Sequence, residues 1–363
     1  GFADEFDGRV LILSHVKEIL AQNFNKLAGL DDIGLWSAGL GIKQRGRVTV
    51  AGIQSVYKHA KLFSKTDVIL IDEAHLVSNE GMYKQFLSEL GKPYLGLTAT
   101  DFRLKGGFIH GDEGMFDSKI YDAPVQQLTD EGYLCPLVYY GDKSPMDTAG
   151  IKLTGGDFNL KDMSLKFNRD AVTQEIATKI AANAEGKNHI LIFCIDIEHA
   201  ENVAKELNLL GVNTEAVHSK SPRDASLRRF QAGKTRALTN VNVLTTGFDA
   251  PFIDMICVLR PTKSMGLHQQ MLGRGMRIHD SKIQTLIKDY THNTRNLGTV
   301  ADPVPLKQRG KGGKGENPFM KACPKCDLMA HPSVRKCKQC GHEYQFRHNL
   351  QTDASTGRDS LPK

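Results

Sequence analysis

Three groups of residues in this 363-residue chain have types and spacings that could do chemistry. In the first, Val68-Ile-Leu-Ile-Asp72-Glu73-Ala74-His75, an apolar run delivers two adjacent carboxylates and then an imidazole. Phosphoryl transfer needs one carboxylate to hold Mg2+ and a second group to orient the attacking water. Asp72 suits the first role and Glu73 the second. A helix N-terminus, which favours acidic side chains through its dipole, is the competing reading. The second group is Gln270-Met-Leu-Gly-Arg274-Gly-Met-Arg277. If helical, spacings of four and three put Gln270, Arg274 and Arg277 on one face. Gly273 and Gly275 would then leave room for a ligand beside guanidinium groups that stabilise charge on a transferring phosphate. A solvated basic helix face is the bland alternative.

The third group is Cys323-Pro-Lys-Cys326 followed by Cys337-Lys-Gln-Cys340-Gly341. Two C-x-x-C hairpins this close together supply the four thiolates of a closed structural Zn2+ site, a zinc ribbon. Such a site leaves no open position, so its work is folding rather than catalysis. A redox dithiol pair is the alternative, and His331 and His342 are spare candidate ligands. Lys321, Lys325, Arg335, Lys336, Lys338 and Arg347, with Tyr344 and Phe346, give this region a composition suited to nucleic acid. A partner protein is the other occupant such a module could take.

The elements that must position these groups read as an α/β chain. Near-continuous apolar runs at 9–14, 47–51, 67–72 and 94–98 predict strands covered on both faces. A second set follows at 189–194, 214–218, 236–240, 254–259 and 285–288, with amphipathic stretches between. One of these, 198–210, lines up Ala200, Val203, Ala204 and Leu207 before Gly211 stops it. The pattern therefore runs twice, and 363 residues suffice for two or three domains.

Charge is unevenly placed. The net +6 resides entirely in residues 301–363, which hold 12 Lys/Arg against 6 Asp/Glu, while the first 300 residues balance. A basic end on a neutral body suits contact with phosphate backbones, and a solvated end is the simpler account. No apolar run approaches the roughly 20 residues that cross a bilayer, and no secretory leader is visible, so a cytoplasmic protein in a bacterial or phage setting is expected. Cys135, Cys194 and Cys257 lie singly in apolar surroundings and read as core residues.

Together these motifs resemble the superfamily 2 helicases, in the restriction- and repair-type form. Asp72-Glu-Ala-His75 looks like the DEAH box, and Thr98-Ala-Thr100 resembles the motif that couples nucleotide and nucleic-acid sites. Val10-Leu-Ile-Leu-Ser14-His15 resembles motif Ia and Ala51-Gly-Ile-Gln54-Ser55 motif Ib, both backbone-contacting. Ile190-Leu-Ile-Phe-Cys194 resembles motif IV, and Val243-Leu-Thr245-Thr246-Gly247-Phe-Asp249-Ala-Pro251 motif V. Gln270 to Arg277 is similar to motif VI.

The resemblance, covering about residues 8–290, implies an ATP-dependent helicase or translocase that uses ATP and Mg2+ between two RecA-like lobes. It implies catalytic roles for Asp72, Glu73, His75, Gln270, Arg274 and Arg277, and nucleotide binding by Asp72, Gly247, Asp249, Arg274 and Arg277. It further implies coupling by Thr98 and Thr100, and nucleic-acid contacts by Ser14, His15, Gln54, Ser55, Thr245 and Thr246, with DNA favoured over RNA.

The family's phosphate-binding loop, G-x-x-x-x-G-K-[ST], has no match in the 363 residues. Ala232-Gly233-Lys234-Thr235 is a decoy, because position 228 is Arg and Gly233 reads as a helix cap. Two explanations are open: a piece of a longer enzyme, or a degenerate motor that binds without hydrolysing. Joint retention of Glu73, Arg274 and Arg277 favours the first. The expected layout is an incomplete first RecA-like lobe at 1–135, a connector at 136–165 with its hinge at 141–162, and a second lobe at 166–300. A basic Gly/Lys linker at 301–318, a zinc ribbon at 319–347 and a disordered tail at 348–363 complete it.

Overall fold

The computed structural model describes residues 5–78, 80–103, 107–112, 114–241, 250–302 and 320–345. The apolar runs become parallel strands of two separate sheets. The first lobe's sheet holds β1 (Val10–Ser14), β2 (Ile33–Ser37), β3 (Ile42–Lys43), β4 (Val48–Gly52), β5 (Val68–Asp72) and β6 (Tyr94–Leu97), ordered β3-β2-β4-β1-β5-β6; β2 and β3 fall outside the predicted runs, and β3 runs antiparallel to β2. All five residues of β1 and of β4 are buried, as covering on both faces requires. Trp36, Phe63 and Phe86 meet edge to face beneath this sheet. A small hairpin, β7 (Phe102–Arg103) and β8 (Gly107–Phe108), follows.

The second lobe uses β9 (Leu137–Tyr140), β12 (Ile190–Phe193), β13 (Thr214–Val217), β14 (Ala237–Asn240), β15 (Met255–Val258) and β16 (Thr285–Asp289), ordered β13-β14-β12-β15-β16-β9. Between β9 and β12 lies the hairpin β10 (Leu153–Thr154) and β11 (Asp157–Phe158). Helix Ile197–Leu209 buries Ala200, Val203, Ala204 and Leu207 as its spacing predicts. Its N-cap is Asp196, which accepts from the His199 N–H at 2.9 Å.

Chain order and sheet order repeat between the lobes. A central strand (β1 or β12) is followed by an outer one (β2 or β13), one between them (β4 or β14), then two on the far side (β5-β6 or β15-β16). The second sheet continues beyond β16 with β9, whereas among the described residues the first sheet ends at β6, where Leu97 is 57% exposed. Both sheets hold six strands among the described residues, and they differ in their end strands: β3 closes the first beyond β2, and β9 closes the second beyond β16.

The expected connector at 136–165 divides differently. Residues 137–140 are β9, paired in parallel with β16, so they belong to the second sheet. Helix Leu160–Phe167, capped by Asn159, packs Met163 and Phe167 into the second lobe's core. The segment expected as the hinge, 141–162, is tied to the second lobe through Asp157. Asp157 accepts from Thr262 Oγ1 at 2.6 Å and from the Lys263 N–H at 2.7 Å. The decoy sequence sits between helix Arg223–Gln231 and β14, with Gly233 at φ +69° as a helix terminator.

A third, small unit holds β17 (Lys321–Ala322) and β18 (Met329–Ala330), an antiparallel pair around the four cysteines. Among the described residues no helix is long and apolar enough to cross a membrane. The expected linker and tail lie largely outside the described residues.

Candidate functional site

Asp72 closes β5, at the carboxyl edge where parallel sheets bind ligands. Its Oδ1 accepts from the Glu73 N–H at 2.9 Å, and its Oδ2 accepts from Asn23 Nδ2 at 2.9 Å. Asn23 belongs to helix Lys17–Lys26, which follows β1. Glu73 turns the chain through the left-handed region at φ 54°, ψ 50°. A side chain there costs roughly 1 kcal/mol, a strain of the kind concentrated where a residue must point to one place. A short 3-10 turn, Ala74–Leu76, then carries His75, so the acidic pair does not open an α-helix.

His75 is the junction of the site. Its Nδ1 lies 3.0 Å from Thr98 Oγ1 and 3.3 Å from Glu73 Oε2, and its Nε2 lies 3.2 Å from Gln270 Nε2 in the other lobe. Thr98 Oγ1 already donates to the Thr100 carbonyl at 2.7 Å, which leaves it only accepting capacity toward the ring. The amide nitrogen of Gln270, as placed, can only donate. Both neighbours therefore assign the same tautomer, with the proton on Nδ1 and Nε2 accepting. Thr100 is buried, and a side-chain carbon at Gly266 of the second lobe would stand 3.6 Å from its hydroxyl.

The electrostatics also span the lobes. Burial raises the Glu73 carboxyl above its ordinary pKa, the neighbouring Asp72 charge raises it further, and Arg274 across the cleft opposes both. Asp72, Glu73, His75, Gln270 and Arg274 thus share one space.

Gln270, Arg274 and Arg277 do not share one helical face. The helix spans Met265–Gly273, Arg274–Met276 is a 3-10 turn, and Arg277 is extended at ψ 136°. The Gly275 carbonyl explains the break: it accepts from Lys282 Nζ at 2.9 Å and from Thr285 Oγ1 at 2.7 Å instead of continuing the helix. A side-chain carbon at Gly275 would come within 2.7 Å of Thr285 Cγ2, so this glycine serves packing rather than ligand approach. Gly273 does face open space.

The expected nucleic-acid contacts fall unevenly. Gln54 Nε2 donates to the His15 carbonyl at 2.9 Å, which joins the ends of β1 and β4 into one exposed edge. Ser55 Oγ accepts from the Ala38 N–H at 2.9 Å nearby. Ser14 is 0% exposed, because β1 is buried on both faces, so it offers no contact surface. Thr245, Thr246, Gly247 and Asp249 lie outside the described residues.

The four cysteine sulfurs lie within 4.8 Å of one another, with Cys323–Cys340 and Cys326–Cys337 each at 3.6 Å. Sulfurs about 2.3 Å from a common Zn2+ stand about 3.8 Å apart in a tetrahedron, so the donor set fits that ion. Burial opposes ionisation of Cys323, but N–H groups of Cys326 and Lys325 hold its thiol down to about 6. Lys321, expected to face phosphate, instead serves the module. Its Nζ donates to the Pro332 and Val334 carbonyls at 2.9 and 2.6 Å and sits 3.7 Å from the Tyr344 ring centroid. Arg347 and Phe346 lie outside the described residues.

The profile of the helicase conserved C-terminal domain matches residues 169–279, and that of the type III restriction enzyme res subunit matches 2–103. The two matches fall on the two lobes whose facing residues form the cleft. The chain belongs to the superfamily 2 helicases, in their restriction- and repair-type form.

The chain is 28% identical to a 51.5 kDa Lactococcus phage protein over 95% of its own length and 74% of the relative. It is 30% identical to a Saccharomyces cerevisiae protein described as an ATP-dependent helicase, over 84% of this chain but 45% of that one. Its fold is similar to an HsdR fragment of a Vibrio vulnificus type I restriction enzyme. That match has TM-score 0.60 at 23% identity and covers 82% of this chain and 56% of that one. A DNA-bound type ISP restriction-modification enzyme matches with TM-score 0.55 at 16% identity, covering 80% and 25%.

Three residues that hold the candidate site in place escaped sequence reasoning. Asn23, Asp157 and Lys282 belong to no motif, and their partners Asp72, Thr262 and Gly275 are 49, 105 and 7 residues away. For Asn23 the sole signal is its place on the helix after β1.

Proposed function

We propose that the chain is the motor core of an ATP-driven nucleic-acid translocase. Asp72 holds Mg2+, Glu73 orients the attacking water, and Arg274 and Arg277 stabilise charge on the transferring phosphate, with Gly247 and Asp249 completing the nucleotide site. His75 and Gln270 report closure between the lobes, and Thr98 and Thr100 pass it toward the edge formed by His15, Gln54 and Ser55, with Thr245 and Thr246 opposite. Cys323, Cys326, Cys337 and Cys340 hold a structural Zn2+. The single observation that carries this reading is the convergence of Asp72, Glu73 and His75 on Gln270 and Arg274 of the other lobe.

DNA is the favoured track and the cytoplasm the favoured setting, because relatives include a type I restriction endonuclease subunit of Escherichia coli, 24% identical over 66% of this chain. A place as motor subunit of such a restriction or repair complex would leave the chemistry unchanged. These 363 residues contain no G-x-x-x-x-G-K-[ST] segment, so they lack the backbone cradle that phosphates need. The expected result is nucleic-acid binding that weakens steeply with salt, and ATP turnover near background. Stimulated turnover by this chain would defeat the second expectation. Equal, salt-insensitive affinity for DNA, RNA and a neutral polymer would defeat the first.

A further inference from the structure

Among the described residues, strand β9 has one sheet neighbour, β16, and its other edge would otherwise present unpaired backbone groups. The cysteine module occupies that edge. Tyr140 forms an antiparallel bridge with Leu328, and the Gly141 N–H donates to the Asp327 carbonyl at 3.0 Å. Asp327 and Leu328 directly follow Cys326. The turn they complete is closed by the Asp327 N–H to the Cys323 carbonyl at 2.8 Å, and by the Cys323 N–H to the Leu328 carbonyl at 2.9 Å. The other cysteine hairpin reaches the same residue: Tyr140 Oη donates at 2.6 Å to Oε1 of Gln339, which lies between Cys337 and Cys340.

Both hairpins therefore grip Tyr140, one through its backbone and one through its hydroxyl. Lys288 of β16 stands 5.2 Å from the centroid of its ring. Gly141 admits the contact, since a side-chain carbon there would meet Met329 Sδ at 3.1 Å and Ala322 Cβ at 3.3 Å.

We infer that the cysteine module is an integral part of the second lobe, and that metal in its four-cysteine site clamps β9, the edge strand of that lobe's sheet. This rests on the zinc reading above. The module is too small for a core of its own, so its two hairpins keep a common register only while one ion joins them. Releasing the ion separates the two grips on Tyr140 and frees the β9 edge.

Hydrogen exchange on the full chain, with zinc content measured in parallel, tests this. One Zn2+ per chain is expected. Stripping it with a chelator should speed exchange at 137–141 and at the module by about tenfold or more, leaving β1, β4 and β5 unchanged. Gly141→Val should keep its zinc yet exchange at β9 like the stripped protein. Should Gly141→Val fold poorly, Tyr140→Phe serves: it loses the bond to Gln339 and should give up zinc to a chelator several-fold faster. If zinc binds but β9 exchange ignores its removal, the clamp is wrong and the metal reading survives. If the chain binds no zinc and Cys326→Ser changes nothing, both fall.

Discussion

His75 and Gln270 meet ring nitrogen to amide nitrogen at 3.2 Å, although 195 residues separate them and they belong to different lobes. The ring's other nitrogen faces Glu73 and Thr98. One imidazole therefore touches Glu73, Thr98 and the second lobe at once, so moving the lobes apart must change its hydrogen bonding.

That contact should register in a double-mutant cycle on thermal or denaturant unfolding. His75→Ala and Gln270→Ala should each destabilise by about 1 kcal/mol, and the double variant by clearly less than their sum. Strict additivity would show that the two side chains do not interact in solution.

Glu73 carries a pH signature. Its folded pKa is raised, so between the ordinary carboxylate range and that raised value the folded state binds more protons than the unfolded one. Stability contributed by this group therefore falls as pH rises through that window. Glu73→Gln should raise Tm by about 2 °C at pH 7, with the advantage disappearing below pH ~4. An unchanged or lower Tm at pH 7 would contradict the buried, charge-crowded placement.

His199 should act in the opposite sense. Burial lowers its pKa to about 4 against the Asp196 charge, and its Nδ1 accepts from the Ile195 N–H at 3.3 Å. The unfolded state binds the extra proton first, so stability is full at neutral pH and declines as pH falls from about 6.5 to about 4. The cost is on the order of 3 kcal/mol. His199→Asn, whose Oδ1 can replace Nδ1 as acceptor, should flatten that part of the pH–stability curve. A curve identical to the parent's would refute the assignment.

Two substitutions probe how the Met265–Gly273 helix is held. Asp157→Ala removes both acceptors that fix Thr262 and Lys263 ahead of it, and should cost about 2 kcal/mol in denaturant unfolding. Gly275→Ala drives a methyl against Thr285 and should cost roughly 1–3 kcal/mol. A neutral result for either would mean that the backbone around Arg274 relaxes freely.

The sequence by itself determined the strand cores, the doubled α/β pattern, the acidic pair and the cysteine quartet. Each rests on local periodicity or short spacing, and burial on both faces leaves a parallel strand such as Val68–Asp72 few alternatives to an apolar run. It passed over β9, because Leu137–Tyr140 is half-buried at a sheet edge and carries no such run. It also continued the Gln270 helix through Arg277, because spacing is blind to Lys282 and Thr285 claiming the Gly275 carbonyl. Tertiary structure alone decided that His75 faces Gln270, that Asn23 holds Asp72, and that the cysteine module sits on Tyr140. These contacts join residues 195, 49 and 199 positions apart. They come into being only when the sheets stack and the lobes face each other, and no local propensity encodes that closure.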